Sequence, residues 1–257
     1  MTESIPLSAI IITLNEEGSL RRCLESLPPC EIIVVDSGSS DRTLEIAKQW
    51  GASVYLRDFD NYAAQKNFAV SKATRPWVLS VDADEVLDET LRTSIKKITG
   101  TKHPSCEGYR VRRSLVFMGR KLRFGKARDE PLRLFRNGSA KFVDEIHEKV
   151  NIEGAVKTLA GEILHYSYEN LDDYFSRFNL YTHKIAWQHY KQKVKVPIFK
   201  HIVRPWFEFT YRYFFRLGFL DGFAGYSYAL ISSLYAFVKY EKLRELYLMD
   251  KVSESGR

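Results

Sequence analysis

The fold is decided by the stretch EIIVVDSGSSDRTLEIAKQWG (residues 31–51), which changes from an apolar run to a helical pattern within a few residues. The run at 31–36 is typical of a strand buried on both faces, and it ends in Asp36. Gly and Ser then form a turn. Apolar residues recur at helical spacing from 41 until Gly51, a typical helix stop. A strand, a turn and a helix in succession predict one unit of an α/β fold.

The same alternation extends over the first hundred residues. Apolar runs predict further strands at 8–14, 53–59 and 77–81. Helical periodicity predicts further helices at 19–27, 62–73 and 87–98. Continuous β-branched strands alternating with helices favour a mostly parallel sheet covered on both faces.

The second half of the chain has a different pattern. Residues 106–170 indicate extended, partly exposed strands, and Asn137-Gly138 predicts a hairpin turn. From residue 171 a helix is predicted, with one apolar face formed by Tyr174, Phe178, Tyr181 and Ile185.

Composition limits the class of protein. The chain has 257 residues, enough for one large domain or a domain with a smaller appendage. A net charge of +7 favours an anionic partner: nucleic acid, a phosphorylated substrate or a membrane surface. Three cysteines without metal-ligand spacing favour a reducing compartment. The first residues lack a basic region followed by a long apolar core, so we expect no signal peptide.

The tail, residues 194–249, is aromatic and basic. Its longest uncharged run, 222–238, is at the short limit for a membrane-spanning helix and contains Gly, Ser and Tyr. Lys and Arg interleaved with Trp, Phe and Tyr favour a helix lying in a membrane interface. The alternative, of almost equal weight, is that this aromatic face packs on the first domain or forms a dimer.

Polar clusters follow three of the predicted strands: TLNEE at 13–17, DSGSSDRT at 36–43 and DADE at 82–85. In an open parallel sheet, ligands bind beyond the carboxyl ends of the strands. Asp36 can accept hydrogen bonds from a base or a ribose, or it can be a turn former; Asp41 can equally be a helix N-cap. The three clusters together predict a binding site at this edge.

The DAD segment predicts a cation site. Side chains two apart in an extended segment share a face, so Asp82 and Asp84 repel each other unless a cation or a proton intervenes. Oxygen ligands without nearby Cys favour Mg²⁺ or Mn²⁺, and a diphosphate usually completes the shell.

A basic stretch lies between residues 110 and 136, with ten Lys and Arg against Asp129 and Glu130. It is either a solvated strand face or a site for diphosphate and acceptor phosphate, with Arg133 and Arg136 both directed to the cleft. Nucleic acid ranks last, because helix-turn-helix, RNP and zinc patterns are absent from the sequence.

The segments AIIITLNEE, EIIVVDSGSSDRT, AAQKN and WVLSVDADE, in this order and spacing, resemble the family 2 glycosyltransferases, which have a nucleotide-binding GT-A fold. The later segments LRLFRNG, IHEKV and ILHYSYENLDDY resemble a narrower branch, the lipopolysaccharide core β-1,4-glucosyltransferase-like enzymes. The resemblance implies an α/β, Rossmann-like GT-A catalytic domain at 1–165 and a helical, aromatic-basic extension at 166–257 for acceptor or membrane-interface association.

The resemblance also implies a reaction: inverting transfer of a hexose, glucose from UDP-glucose, to a saccharide of the lipopolysaccharide core or a similar lipid-linked glycan. Mg²⁺ or Mn²⁺ would be the cofactor, and the protein would lie peripherally at the cytoplasmic face of the inner membrane. Donor sugar, acceptor and linkage depend on pocket shape, and they stay open together with the oligomeric state.

Site residues carry over by position. Those lining the nucleotide pocket would be Thr13, Leu14, Asn15 and Glu16. Asp36 would contact uracil or ribose, and Lys66 and Asn67 would face the base or the diphosphate, unless Lys66 is a solvated helix lysine. Asp82 would contact ribose and metal, and Asp84 would be a direct metal ligand.

The catalytic base is less clear from the sequence. An inverting transfer needs a carboxylate to accept the proton of the acceptor hydroxyl. The usual E-D pair of the family is absent, and the candidates are Asp129, Glu130, Asp144, Glu145 and Glu148. Glu148 beside His147 is the first choice, where His147 orients the acceptor, carries a proton or touches the metal; alternatively the two brace the second half.

Two other residues are predicted to lie outside the chemistry. His165 is predicted to be a structural or pocket-lining residue rather than a ligand, and Glu85 is predicted to lead into the next helix.

Two rival functions remain. A nucleotidyltransferase normally has a Gly-rich, basic loop after the first strand, whereas TLNEEGS has one Gly and two acids. A catalytically dead, membrane-bound UDP-binding scaffold would not need the D-x-D pair and Asp36, which are both intact.

Overall fold

The computed structural model describes residues 4–101, 106–143, 149–168 and 170–255. The strands are β1 Leu7–Thr13, β2 Glu31–Asp36, β3 Ser53–Leu56, β4 Trp77–Ser80, β5 Glu85–Leu87, β6 Gly108–Phe117, β7 Arg120–Lys121, β8 Arg128–Asp129, β9 Leu132–Arg136, β10 Ala140–Val143, β11 Lys149–Ile152 and β12 Val156–His165. The α-helices are α1 Leu20–Ser26, α2 Thr43–Gln49, α3 Tyr62–Lys72, α4 Glu89–Thr99, α5 Leu171–Lys191, α6 Ile198–Thr210 and α7 Gly222–Ser255. A π-helical turn, Tyr211–Phe215, and a 3-10 turn, Gly218–Asp221, connect α6 to α7.

The chain divides into two compact units. The first contains Met1–Ser114 and Asp129–Ser167, and the second contains Leu115–Arg128 and Tyr168–Arg257. The predicted boundary at residue 165 lies close to the second passage between them. Residues 115–128, which the sequence placed with the first domain, cluster with the helices.

The main sheet has the strand order β3-β2-β1-β4-β9-β6-β12-β5. The first four strands are parallel, whereas β9 is antiparallel to both β4 and β6, and β5 is antiparallel to β12. The predicted α/β class, a sheet flanked by helices with a helical C-terminal region, is confirmed. The sheet is mixed, with its parallel part limited to the first half of the chain.

Alternate residues of the parallel strands supply two separate cores. Ile11 and Val34 pack with residues of α1, α2 and α4, while Ile10 and Ile33 pack with α3. Because both faces of these strands are covered, their sequences are apolar at successive positions. The arrangement leaves the strand ends as the place for polar side chains.

The Asn137-Gly138 turn does not close a hairpin, so that prediction is wrong. The turn is present, with Gly138 at a φ of 89° and the amide of Ser139 donating to the carbonyl of Arg136. Both edges of β9 are already occupied by β4 and β6, and β10 pairs instead with β11 in a separate sheet.

In the second unit, α5 and α6 each pack on α7. Tyr174 and Phe178 are buried as predicted, but the next buried residues are Thr182 and Ala186 rather than Tyr181 and Ile185. These small side chains form one row at four-residue spacing, which lets α5 approach α7 closely. Among the described residues, no helix combines the length and the apolarity needed to cross a membrane.

Candidate functional site

An open cleft of about 370 Å³ lies at the carboxyl ends of β1 and β4, in the first unit. Its lining is Ile12, Thr13, Leu14, Glu16, Ser37, Phe59, Tyr62, Lys66, Asp82, Ala83, Asp84 and His165. The parallel register of β1 with β2 and β4 brings the three predicted polar clusters to one edge. Six predicted site residues therefore meet here: Thr13, Leu14, Glu16, Lys66, Asp82 and Asp84.

Asp36 is fully buried at the end of β2 and organises the loop that follows. Its carboxylate accepts hydrogen bonds from Thr13 Oγ1 at 2.8 Å, from the amides of Gly38 and Ser39 at 2.9 and 2.8 Å, and from Ser39 Oγ. Charged acceptors with several donors are stably held without a cation. A direct contact of Asp36 with a nucleotide stays a prediction.

Asn15 joins the first loop to the second. Its φ of 55° is left-handed, a conformation that Asn adopts more readily than most residues. The backbone amide of Asn15 donates to Ser39 Oγ at 2.8 Å, and its side-chain Oδ1 accepts from the backbone amide of Ser40 at 2.9 Å. The amide of Glu16 donates to Thr43 Oγ1 at 2.7 Å. Hydrogen bonds therefore join the loop after β1 to the loop after β2 beside the cleft.

The DADE segment forms a tight turn, since the amide of Glu85 donates to the carbonyl of Asp82 at 3.0 Å. The predicted extended conformation, with both aspartates on one face, is wrong at this point. The turn carries the chain from β4 into β5, which pairs antiparallel to β12. As a result, Asp82 and Asp84 have different partners.

Asp82 is held between two cations. Lys66 Nζ donates to Oδ1 at 2.8 Å, and Arg133 donates to Oδ2 at 2.8 Å. Burial opposes ionisation of Asp82, but Arg133 and Lys66 outweigh it and hold its pKa well below the ordinary value. Lys66 is itself 4% exposed, so it is not a solvated helix lysine.

Glu85 lies beneath the turn, and the expectation that it merely leads into α4 is wrong. Its side chain is fully buried and accepts from Arg133, from Arg113 at 3.1 Å and from the amide of Asp82 at 3.0 Å. Burial raises the pKa of Glu85 and Arg133 lowers it, leaving the pKa above its ordinary value. Glu85 thus anchors the arginines that neutralise Asp82.

The basic stretch separates into different roles. Arg113 binds the carboxylate of Asp129 through two nitrogens at 2.9 and 2.6 Å, so Asp129 is an ion-pair partner. Arg136 lies over the ring of Trp77 at 5.1 Å, at the opposite end of β4, and its predicted direction toward the cleft is wrong. Residues three apart in a strand lie on opposite faces, so only Arg133 of this pair reaches the cluster.

Asp84 pairs with a histidine, which can be neutral, whereas Asp82 pairs with a lysine and an arginine. Nε2 of His165 lies 3.2 Å from its Oδ2, and Ser167 Oγ lies 3.0 Å from the same nitrogen. His165 ends β12 opposite Glu85, and the amide of Tyr166 donates to the carbonyl of Asp84 at 2.9 Å. Burial lowers the pKa of His165, but Asp84 raises it more, so the net pKa is above the ordinary value.

The carboxylate of Asp84 fits Mg²⁺ or Mn²⁺, because these ions prefer oxygen ligands and commonly take one or two carboxylates beside substrate phosphates. The imidazole of His165 lines the same cleft but is a ligand type more usual for Zn²⁺, Cu or Fe. Clusters of three or more His, Cys, Asp or Glu able to hold an ion are absent from the described part of the chain. Diphosphate oxygens and water would supply the other ligands. Metal ligation by Asp82, whose two oxygens each bond a cation, stays a prediction.

Other predicted residues lie away from the cleft or beyond the described chain. Asn67 uses both ends of its amide on the backbone of Phe142, at 2.9 Å each, and its nucleotide contact stays a prediction. His147 and Glu148 lie outside the described residues, as do Asp144 and Glu145. Their assignment as catalytic base or its partner therefore stays a prediction.

A family model and two curated relatives all indicate a glycosyltransferase. The family model described as "Glycosyl transferase family 2" matches residues 8–155. The lipopolysaccharide core biosynthesis glycosyltransferase LpsC of Rhizobium meliloti is 32% identical, covering 97% of this chain and 96% of that protein. An uncharacterized glycosyltransferase of Rickettsia typhi is 30% identical, with 95% and 89% covered. The mannosyltransferase PcManGT of Pyrobaculum calidifontis, solved with GDP-Man and Mn²⁺, has a TM-score of 0.48 at 15% identity, with 94% and 88% covered.

Proposed function

Because the chain belongs to glycosyl transferase family 2, we propose that it transfers a hexose from a UDP-sugar, with inversion, to a saccharide acceptor. The donor is UDP-glucose, and the acceptor is the lipopolysaccharide core or a similar lipid-linked glycan. The observation that carries this proposal is the cleft at the ends of β1 and β4, where Asp84 and His165 face the same space as Lys66 and Asp82.

The lining of the cleft suits a nucleotide. Phe59 and Tyr62 contact each other edge to face, with centroids 5.0 Å apart, and both are about half exposed. Such rings offer an apolar surface on which a base can stack. Thr13, Glu16 and Ser37 supply polar atoms on the same lining. This combination of aromatic and polar groups is typical of a nucleoside site.

The acidic residues of the site have separate roles in this proposal. Asp82, kept ionised by Lys66 and Arg133, would accept hydrogen bonds from ribose hydroxyls. Asp84 would hold Mg²⁺ or Mn²⁺, which offsets the charge of the departing diphosphate when it is bound, and His165 lines the cleft beside it, in agreement with its predicted pocket-lining role. Glu85 keeps Arg113 and Arg133 in position beneath these groups.

The base in this proposal is Glu148, with His147 beside it. A carboxylate would accept the proton of the acceptor hydroxyl as that oxygen attacks the anomeric carbon. Asp129 is less suited, because its carboxylate is already bound by Arg113. Glu148→Gln should therefore abolish transfer while leaving UDP binding intact.

The similarity to LpsC supports the acceptor class, since that relative acts in lipopolysaccharide core biosynthesis by its name. A lipid-linked acceptor requires the enzyme to work beside a membrane. We therefore infer a peripheral position at the cytoplasmic face of the inner membrane.

A donor screen tests the proposal. UDP-glucose, UDP-galactose, UDP-GlcNAc and GDP-mannose are each added with Mn²⁺, and thermal unfolding and UDP or GDP release are measured. A ligand at 100 times its Kd stabilises the native state by about 2.7 kcal/mol, so the true donor should raise the Tm distinctly. We expect UDP-glucose to give the largest shift and slow UDP release. A response to GDP-mannose alone would contradict the proposed donor.

A further inference from the structure

Helix α6 carries its apolar residues on the side facing away from its packing partner. Toward α7, His201 Nδ1 lies 2.7 Å from Glu241 Oε1, and Ser233 Oγ donates to the carbonyl of Pro205 at 2.9 Å. His201 is only 5% exposed. The face that packs within the unit is therefore partly polar.

The outer face of α6 is apolar and uncovered. One face of α6, at positions i, i+3, i+4 and i+7, carries side chains that are 56–70% exposed: Phe199, Ile202, Val203 and Trp206. A surface helix normally turns such a stripe to the core and its charges to water. In α6 this arrangement is reversed, which indicates a partner outside the unit.

The apolar surface continues through the connection to α7. We call it the exposed apolar strip, and its members are Ile198, Phe199, Ile202, Val203, Trp206, Phe207, Phe214, Phe215, Leu217, Phe219, Leu220 and Phe223. Soluble proteins rarely expose contiguous apolar patches larger than a few hundred Å². So many large apolar side chains exposed within residues 198–223 favour an interaction surface.

The strip is held on a fixed backbone. A Cβ on Gly225 would lie 2.0 Å from the carbonyl oxygen of Gly218, so the connection and the start of α7 are in close contact. The carboxylate of Asp221 accepts hydrogen bonds from the amides of Arg123 and Phe124. The exposure of the strip therefore belongs to the folded structure of the unit.

Cations border the strip. Between residues 193 and 220 the sequence has Lys193, Lys195, Lys200, Arg204, Arg212 and Arg216 but a single acid, Glu208. Glu208 is bound by Arg212 at 2.7 Å and approached by Arg204 at 3.6 Å. The surplus of positive charge beside aromatic side chains is the composition of interfacial membrane helices.

We propose that the exposed apolar strip docks on the surface of an anionic lipid bilayer, with α6 lying in the headgroup region. The 13 residues of α6 are too few to span the hydrocarbon core, which requires about 20. A second copy of the chain fits less well, because a two-fold contact would bring each copy's cations against those of the other. This inference deepens the proposed function, whose lipid-linked acceptor lies at a membrane.

Vesicle co-sedimentation of the full chain tests the proposal. Vesicles contain phosphatidylcholine alone or with 30% phosphatidylglycerol, roughly the proportion needed for a strong surface potential. The double variant Ile202→Ser/Trp206→Ser should bind the anionic vesicles at least about 10-fold more weakly, because two apolar anchors are lost. Leu56→Ser is the matched control, since Leu56 is 70% exposed like Trp206 but lies in the first unit; its binding should stay at the wild-type level.

A charge variant separates the electrostatic part. Lys200→Glu/Arg204→Glu should weaken binding to anionic vesicles roughly 10-fold or more and leave the weak binding to neutral vesicles unchanged. Raising the salt concentration should reduce wild-type binding to anionic vesicles, because exposed charges are screened. UDP binding, measured by calorimetry, should be the same in all these variants.

Wild-type vesicle binding by both double variants would overturn the proposal. The same holds if the serine variant only converts a dimer to a monomer by light scattering, because the strip would then cover a second copy. If the wild-type chain bound vesicles but did not bind UDP, the result would contradict the proposed function and still support the docking surface.

Discussion

Asp36 and Asp84 follow two strands that flank β1 in the same sheet, yet their surroundings differ. Asp36 is fully buried and accepts hydrogen bonds from hydroxyl and amide donors of its own loops. Asp84 lines the cleft, and its Oδ2 lies 3.2 Å from Nε2 of His165. Acids at the ends of neighbouring strands can therefore have different surroundings: Asp36 accepts hydrogen bonds from its own loops, whereas Asp84 lines the cleft beside a histidine.

The largest effect on activity should come from Asp84→Asn, which removes the charge that lines the cleft. We expect UDP-glucose turnover to fall at least about 100-fold, equivalent to about 2.7 kcal/mol of lost transition-state stabilisation. The Tm should change little, because the backbone contact of Asp84 with Tyr166 stays in place. Asp172→Asn, on the exposed first turn of α5, is the control. Full activity in both Asp84→Asn and Asp82→Asn would remove the site assignment.

Glu85→Gln tests whether the buried acid beneath the turn is structural. Removing one partner of a buried, hydrogen-bonded ion pair typically costs about 3–5 kcal/mol, and Arg113 and Arg133 would both lose their shared carboxylate. Urea unfolding should show this loss. Glu89→Gln is the matched control: its side chain is 74% exposed beside Arg92, and its effect should stay below about 1 kcal/mol. Equal stabilities of the two variants would refute the anchoring role.

Thr13→Val tests the internal satisfaction of Asp36. The hydroxyl of Thr13 donates to Asp36 Oδ2 at 2.8 Å, and a hydrogen bond to a charged group contributes about 1.5–3 kcal/mol. We expect the free energy of unfolding to decrease by an amount within that range. Thr101→Val, where an exposed hydroxyl donates to the carbonyl of Lys97, should have a smaller effect. A loss no larger than that of the control would mean that Asp36 does not depend on its protein donors.

The smallest effect should come from the acid at the other end of β2. Burial opposes ionisation of Glu31, but hydrogen bonds from Ser8 and Thr74 outweigh it and lower its pKa below the ordinary 4.5. A lowered pKa stabilises the folded state above pH 4.5, and the contribution disappears as the pH falls through the folded value. Glu31→Gln should therefore reduce the urea midpoint slightly at pH 7 and progressively less toward pH 3.5. A constant difference across this range would contradict the assigned cause.

The parallel half of the fold was predictable because β1, β2 and β4 are apolar and mostly buried at successive positions, while β3 is the partly exposed edge strand. The sequence predicted β2 with its observed bounds, and β1, β3 and β4 with small shifts. The antiparallel half was less predictable, since strand partners there are set by which edges remain unoccupied. The Asn137-Gly138 turn illustrates this, because β9 had no edge left for β10.

The sequence predicted the edge of the sheet at which the cleft lies, but it did not predict the contacts between buried side chains beneath the cleft. Strand ends placed Thr13, Asp82 and Asp84 together from the sequence alone. The link between Glu85 and Arg133 spans 48 residues and follows no local periodicity. The apolar outer face of α6 was similarly hidden, because a helical pattern shows an apolar stripe without showing which neighbour covers it.

The central claim is that Asp84 presents a carboxylate to a metal–diphosphate pair in the cleft. Calorimetric titration of UDP into the wild-type chain and Asp84→Asn, each with and without Mn²⁺, tests it most directly. We predict that Mn²⁺ tightens UDP binding at least about 10-fold in the wild type, equivalent to about 1.4 kcal/mol, and hardly at all in the variant. An equal gain from Mn²⁺ in both proteins would contradict the claim.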